Sequence, residues 1–280
     1  MNQETPTYLN VDEILRQRVP QYHKRIPKFL IKWLARIIHQ DELNTILQHM
    51  VKVPGVGAAH SALHDLNITV QVMGEENIPH EGRFIFVSNH PLGGLDGLSL
   101  ISTLGRRYNG NIRFLVNDLL MAVKPLQPIF LPVNEYGRQP RAHVDEIERQ
   151  YQGANQIITF PAGICSRQDE QGRIRDLKWH KSIVSQAVRN RRDIIPIFFE
   201  GVNSKFFYRM AKWRKRLGIK FNFELIFLPG EMFKCKGKSF NIHIGKPIKW
   251  NTLDTGKPHE ETRRIYDIVY AIAPHDMKKI

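Results

Sequence analysis

The chain has few cysteines, a shortage of acidic residues relative to basic ones, and no long apolar run. Cys165 and Cys235, the two cysteines among 280 residues, are too few for a disulfide framework and lack metal-ligand spacing, so a reducing compartment is expected. No segment approaches the roughly 20 mostly apolar, uncharged residues that a membrane-crossing helix needs, which argues against a spanning protein. The start, Met1-Asn2-Gln3-Glu4-Thr5-Pro6, lacks the basic-then-apolar order of a secretory leader, so an intracellular location is expected. Internal repeats and low-complexity tracts are missing too. The shortage of acid matters most: 41 Lys and Arg against 27 Asp and Glu leave a formal charge of +14. Such a field draws anionic partners whatever the fold, whether nucleic acid, lipid headgroups or an acidic carrier protein.

What the chain does contain is enough apolar residue, 42%, to bury one substantial core. Residues 1–50 read as a helical segment broken at Pro20 and Pro27, and residues 51–280 as the main domain. Within the first segment, Ile26 to Ile38 has an amphipathic helical pattern. Phe29, Leu30, Trp33, Leu34 and Ile37 form an apolar stripe, while Lys28, Lys32 and Arg36 recur at spacings of four. A basic helix of this kind can lie in the headgroup boundary of an anionic membrane, although packing on the main domain would explain the same stripe. Beyond it, β-branched and aromatic runs at Ile68–Val72, Phe84–Val87, Ile112–Val116, Gln156–Phe160, Ile194–Phe199, Leu225–Leu228 and Phe240–Ile244 read as strands. Helical patterns lie between several of them, at about 95–107, and at the end from about 259 to 272. The expected fold class is therefore α/β, a mixed sheet covered by helices with a helical segment in front.

The strand Phe84–Val87 runs through Ser88-Asn89-His90 into the loop Pro91-Leu92-Gly93-Gly94-Leu95, with a helix starting near Asp96. A strand end feeding a helix start is a favoured place for a site, because the strand holds the His and the helix N-terminus favours the carboxylate. If Asp96 accepts one ring N–H, the other nitrogen is left as a base for a hydroxyl or amine. A structural His followed by a capping Asp would have the same pattern.

Three further blocks follow in order: Phe130-Leu131-Pro132-Val133, Phe160-Pro161-Ala162-Gly163 and Ile194-Ile195-Pro196-Ile197. Together with Asn89-His90 and Asp96 they resemble the glycerolipid acyltransferases typified by bacterial lysophosphatidic acid acyltransferase, over residues 68 to 250. The resemblance implies that an acceptor hydroxyl attacks a fatty acyl thioester, with His90 as general base and Asp96 orienting it. It implies no metal, no cofactor and no acyl-enzyme. The acyl donor would be acyl carrier protein or acyl-CoA, and the acceptor a lyso-lipid met at the cytoplasmic face of the inner membrane. Carried over by position, substrate contacts fall to Asn89, Arg138, Gly163, Ser166, Arg167 and Lys181, and Glu200 is a further candidate as well as a natural strand-end turn residue.

The chain departs from the family pattern in three places. Five residues separate His90 from Asp96 where the family has four, so either the glycines absorb the extra residue or Asp96 falls short of the imidazole. Ala162 stands where the family has glutamate, and the third-block arginine is absent from its usual place, with Arg167 two positions on. The second-block arginine has no in-register match, and Arg138 is the nearest candidate. Those groups hold a glycerol phosphate in the family. Their loss favours another acceptor, and the run His90-Pro91-Leu92-Gly93-Gly94-Leu95-Asp96-Gly97 resembles a bacterial branch described as hemolysins or glycerol acyltransferases, some linked to ornithine- and glycine-type aminolipids. The alternatives are phosphatidic acid synthesis and, from another class, a non-catalytic RNA- or lipid-binding protein. For that last reading the relevant stretch is Lys205–Arg216, which interleaves aromatics with cations and suits membrane headgroups as well as nucleic acid; its place behind the four blocks favours the membrane. Cys165 is a rival nucleophile, and Leu119, Leu120, Met121, Leu126 and Ile129 are candidates for an acyl groove or simply core.

Overall fold

The computed structural model describes residues 9–133 and 141–274. Four helices come first: α1 (Val11–Arg18), α2 (Pro20–His23), α3 (Lys28–Ile37) and α4 (Gln40–Met50). Pro20 opens α2 and Pro27 caps α3, positions where a missing N–H costs nothing. α4 sends Ile46 and Met50 into the core, whereas α3 buries none of its residues.

The remainder alternates strand and helix. In order come α5 (Val56–Asp65), β1 (Thr69–Met73), β2 (Phe84–Ser88), α6 (Gly94–Arg107), β3 (Ile112–Asn117), β4 (Phe130–Val133), α7 (Arg141–Gln152) and β5 (Gln156–Thr159). A short hairpin, β6 (Arg167–Gln168) and β7 (Ile174–Arg175), precedes α8 (Ser182–Asn190) and β8 (Asp193–Phe199). The chain closes with α9 (Lys205–Arg216), α10 (Leu228–Phe233), β9 (Ser239–Ile244) and α11 (Pro258–Ile272).

Seven strands form one sheet in the order β1-β9-β8-β2-β5-β3-β4. β8, β2, β5, β3 and β4 run parallel, β1 and β9 run parallel to one another, and β8 meets β9 antiparallel. This is the mixed α/β sheet expected from the alternation of elements. β2 is central and buried throughout, which is why Phe-Ile-Phe-Val-Ser shows no polar alternation. Its Phe84 and Phe86 face the core under α4, α5 and α6, while Ile85 and Val87 face the core under α8 and α11. The same parity, continued past the strand, sends His90 toward α6 and Asn89 to the opposite face.

Two segments differ from the sequence expectation. Leu225–Leu228 is not a strand: a 3-10 turn at Phe223–Phe227 runs directly into α10. Pro229 in the first turn of α10 explains this, because its fixed φ suits a helix start and it has no N–H for a ladder. Phe130–Val133, noted only as a motif block, is an edge strand that tolerates Pro132 in that position.

The end of the sheet away from His90 is closed by Arg192. It is fully buried, and its guanidinium donates to the carbonyls of Tyr151 at 2.7 Å, Asn155 at 2.7 Å and Gly153 at 2.7 Å. Burial pushes its pKa down to about 10, and it remains a cation at neutral pH.

Candidate active site

His90 stands two residues past the C-terminal end of β2, where parallel α/β sheets gather their ligands. Its Nδ1 lies 3.1 Å from both Asp96 oxygens, so the five-residue interval does close. Gly93 makes this possible by adopting φ +86°, a conformation costly for other residues, and α6 starts immediately after it. Asp96 then occupies the first turn of α6, fully buried. One oxygen reaches back to accept the Leu92 amide at 2.9 Å, and the other accepts the Gly97 amide at 2.8 Å. The arrangement is a variant of the capping box, in which a first-turn carboxylate satisfies orphan amides. An anion so held accepts the Nδ1 hydrogen and leaves Nε2 as the free base.

The ring is fixed from its other sides. Phe160 stacks on it at 4.0 Å between centroids and 17° between planes, and the Cys165 sulfur lies beside it. The Cys165 sulfur and Leu228 of α10 crowd the turn, standing 3.3 Å and 3.1 Å from where a Cβ on Gly93 would lie. Burial is the largest single influence on His90 and favours the neutral ring. The Asp96 carboxylate, its hydrogen bond to the ring and the neighbouring Cys165 sulfur outweigh it, holding the imidazole pKa well above its ordinary value.

The backbone of His90 is held as firmly as the ring. Its amide donates to Asp176 at 3.1 Å, and its carbonyl accepts the Ser166 amide at 2.7 Å. Asp176 also accepts the Ser166 hydroxyl at 2.5 Å and the Trp179 indole N–H at 2.9 Å. Burial raises the Asp176 pKa, against these donors. Asp176 was absent from the sequence expectation. Nothing local marks it, since its partners come from positions 90, 166, 179 and 270.

The other expected contacts divide into those beside His90 and those committed elsewhere. Ser166 lies next to it but spends its hydroxyl on Asp176. Gly163 forms the exposed turn after Phe160, with φ +72°. The Asn89 amide group bridges both backbone polar groups of Phe199, at 3.0 Å and 2.7 Å, stitching β2 to β8. Arg167 is buried, donating to the Cys165 carbonyl at 2.7 Å and to Glu224 at 2.8 Å. Glu224 is also paired with Arg214 of α9, at 2.9 Å, so two guanidinium groups share one buried carboxylate. Lys181 is exposed at the start of α8. Glu200 is engaged by His243 and by the Asn241 amide at 3.0 Å. Arg138 lies outside the described residues.

The site therefore offers one oriented base in an apolar setting. It suits proton removal from a hydroxyl next to an electrophile that is already activated.

The acyltransferase family model matches residues 13–270. A lyso-glycine lipid O-acyltransferase of Bacteroides thetaiotaomicron is 43% identical, covering 97% of this chain and 100% of that protein. A second, from Phocaeicola vulgatus, is 42% identical over 97% of this chain and 98% of that protein. Among solved structures, the 1-acyl-sn-glycerophosphate (LPA) acyltransferase of Thermotoga maritima aligns with 80% of this chain and 76% of its own, at 19% identity and a TM-score of 0.48. With a family match over nearly the whole chain and relatives above 40% identity, this protein belongs to the acyltransferase family.

Proposed function

We propose that the chain moves a fatty acyl group from an acyl thioester to the hydroxyl of a lyso-aminolipid of the glycine type, at the cytoplasmic face of the inner membrane. His90 Nε2 takes the proton of the acceptor hydroxyl as its oxygen attacks the thioester carbonyl. The C–S bond then breaks, and the departing thiolate receives that proton from the imidazolium. Asp96 keeps Nδ1 protonated and stabilises the ring while it carries the extra charge. Acyl and proton are both conserved, and no acyl-enzyme is needed because the thioester is already activated.

The observation that carries this reading is the His90–Asp96 pair set among Phe160, Cys165 and Leu228. Cys165 and Ala162 occupy the places where the family keeps charged acceptor ligands, and both are buried. An acceptor hydroxyl flanked by methylenes fits this wall better than one flanked by phosphate. The names of the two close relatives support the same acceptor class. The donor is acyl carrier protein or acyl-CoA, each of which brings negative charge to a surface of net +14.

α3 supports contact with the membrane. Phe29 is 68% and Trp33 56% exposed, beside Lys28, Lys32 and Arg36, and no helix of the described residues is long and apolar enough to cross a bilayer. Peripheral docking through the helical segment 1–50 is thus part of the proposal. Purified protein given acyl carrier thioester should acylate a lyso-glycine lipid and leave lysophosphatidic acid unreacted. Exclusive use of lysophosphatidic acid would overturn the acceptor assignment in favour of phosphatidic acid synthesis.

A further inference from the structure

α9 presents an unusual outer face. At 100° per residue its buried side is Phe207, Tyr208 and Ala211, with Arg214 at the margin pinned to Glu224. The opposite side then carries two parallel stripes. One is apolar, with Phe206, Trp213 and Leu217 exposed by 41%, 53% and 53%, and the other is Lys205, Arg209, Lys212 and Arg216. The following loop adds Ile219 and Phe221, the latter 70% exposed. The outer face of a helix on a soluble domain is normally polar, so contiguous large apolar side chains there call for a covering partner.

Charge narrows the partner. From Lys205 to Phe223 there are seven Lys and Arg and no Asp or Glu, and among the described residues only Arg214 of these has a carboxylate partner. A second copy of this chain would bring like charge, and an apolar stripe would gain little from nucleic acid phosphates. Apolar side chains beside uncompensated cations match the headgroup boundary of an anionic bilayer.

Position supports the same partner. Phe206 packs edge-on against Phe227 and Trp213 against Phe223, tying α9 to the turn that leads into α10. At its other end α10 meets the turn that joins α3 to α4, where Phe233 packs on His39 at 4.9 Å between ring centroids. α10 thus bridges the two exposed apolar and basic helices, while its Leu228 reaches the catalytic turn at Gly93.

We infer that α9 and the loop through Phe221 form a second membrane-inserting element, which with α3 seats the mouth of the His90 site on an anionic lipid surface. This rests on the reading that the acceptor is a membrane lipid.

The test uses the full chain and vesicles of phosphatidylcholine with or without phosphatidylglycerol. Leu217→Ser with Phe221→Ser removes exposed apolar groups, and Lys212→Glu with Arg216→Glu reverses the cation stripe. Each double variant should weaken binding to the anionic vesicles at least about tenfold. Turnover of a detergent-dispersed acceptor should stay unchanged while turnover of vesicle-embedded acceptor falls. Wild-type vesicle binding by both variants would overturn the inference. So would a raised KM for acyl carrier protein, or lost RNA binding, with vesicle affinity intact. If the wild type binds vesicles through this patch but turns over no lipid, the catalytic reading fails and the docking inference stands.

Discussion

At the scale of single residues, the proposed chemistry depends on the hydrogen bond between His90 and Asp96. Asp96→Asn replaces the acceptor on Nδ1 with a neutral amide, and kcat should fall roughly 100-fold or more with the fold intact by circular dichroism. Because Asp96 and Cys165 hold the His90 pKa above its ordinary value, the free enzyme gains its neutral base only as pH rises. kcat/KM should therefore climb with pH through a bend lying above the usual histidine range, and Asp96→Asn should move that bend down. The linkage has a definite sign: a group with a raised folded pKa stabilises fully below its unfolded pKa, and that contribution is lost as pH rises through the folded value. Denaturation of wild type against His90→Gln across pH should show a difference that shrinks on the alkaline side. Cys165 lies beside the same ring but has no role as nucleophile in the proposed direct transfer. Cys165→Ala should keep most turnover, and an acyl adduct on Cys165 seen by mass spectrometry would establish the two-step route instead.

At the scale of elements, the turn between β2 and α6 and the anchoring of α9 matter most. Gly93 lies at φ +86°, and a Cβ there would press on Leu228 and Cys165. Gly93→Ala should cost about 1–3 kcal/mol from the backbone alone, with a further loss of activity as the Asp96 carboxylate shifts from His90. Urea unfolding and turnover measured on the same preparation would separate the two effects. Glu224 is fully buried between Arg167 of the β6–β7 hairpin and Arg214 of α9. Removing its charge strands two largely buried cations, so Glu224→Gln should destabilise by about 3 kcal/mol or more, read as a lower urea midpoint. A midpoint equal to wild type would show that water compensates the pair. The turn holding Glu224 was expected to be a strand, because Leu225 to Leu228 is apolar. Periodicity cannot tell a short apolar run from a buried turn, and here Pro229 and the ion pair decided the matter.

At the scale of the whole molecule, the excess of 41 basic over 27 acidic side chains should make membrane contact salt-sensitive. The Debye length is about 8 Å at physiological ionic strength and shorter above it, so vesicle binding should weaken as salt rises and be poorest on neutral lipid. Salt-independent binding would place the attraction in the apolar residues of α3 and α9 alone. By itself, the sequence determined the α/β class, the central strand before His90, the four motif blocks and the amphipathic stripe of α3. All of these are local patterns of period 2 or 3.6, or short runs of fixed order. The tertiary structure decided whether the extra residue before Asp96 could be absorbed, because that turned on one glycine φ and two amides. It also decided that Asn89 and Glu200 serve strand pairing, that Asp176 anchors His90, and that Arg167 shares Glu224 with Arg214. The partners of Asp96 lie within six residues, and there the backbone of the turn decided; Asn89, Glu200, Asp176 and Arg167 find theirs tens of residues away, where only the packing of sheet and helices brings the groups within hydrogen-bond reach.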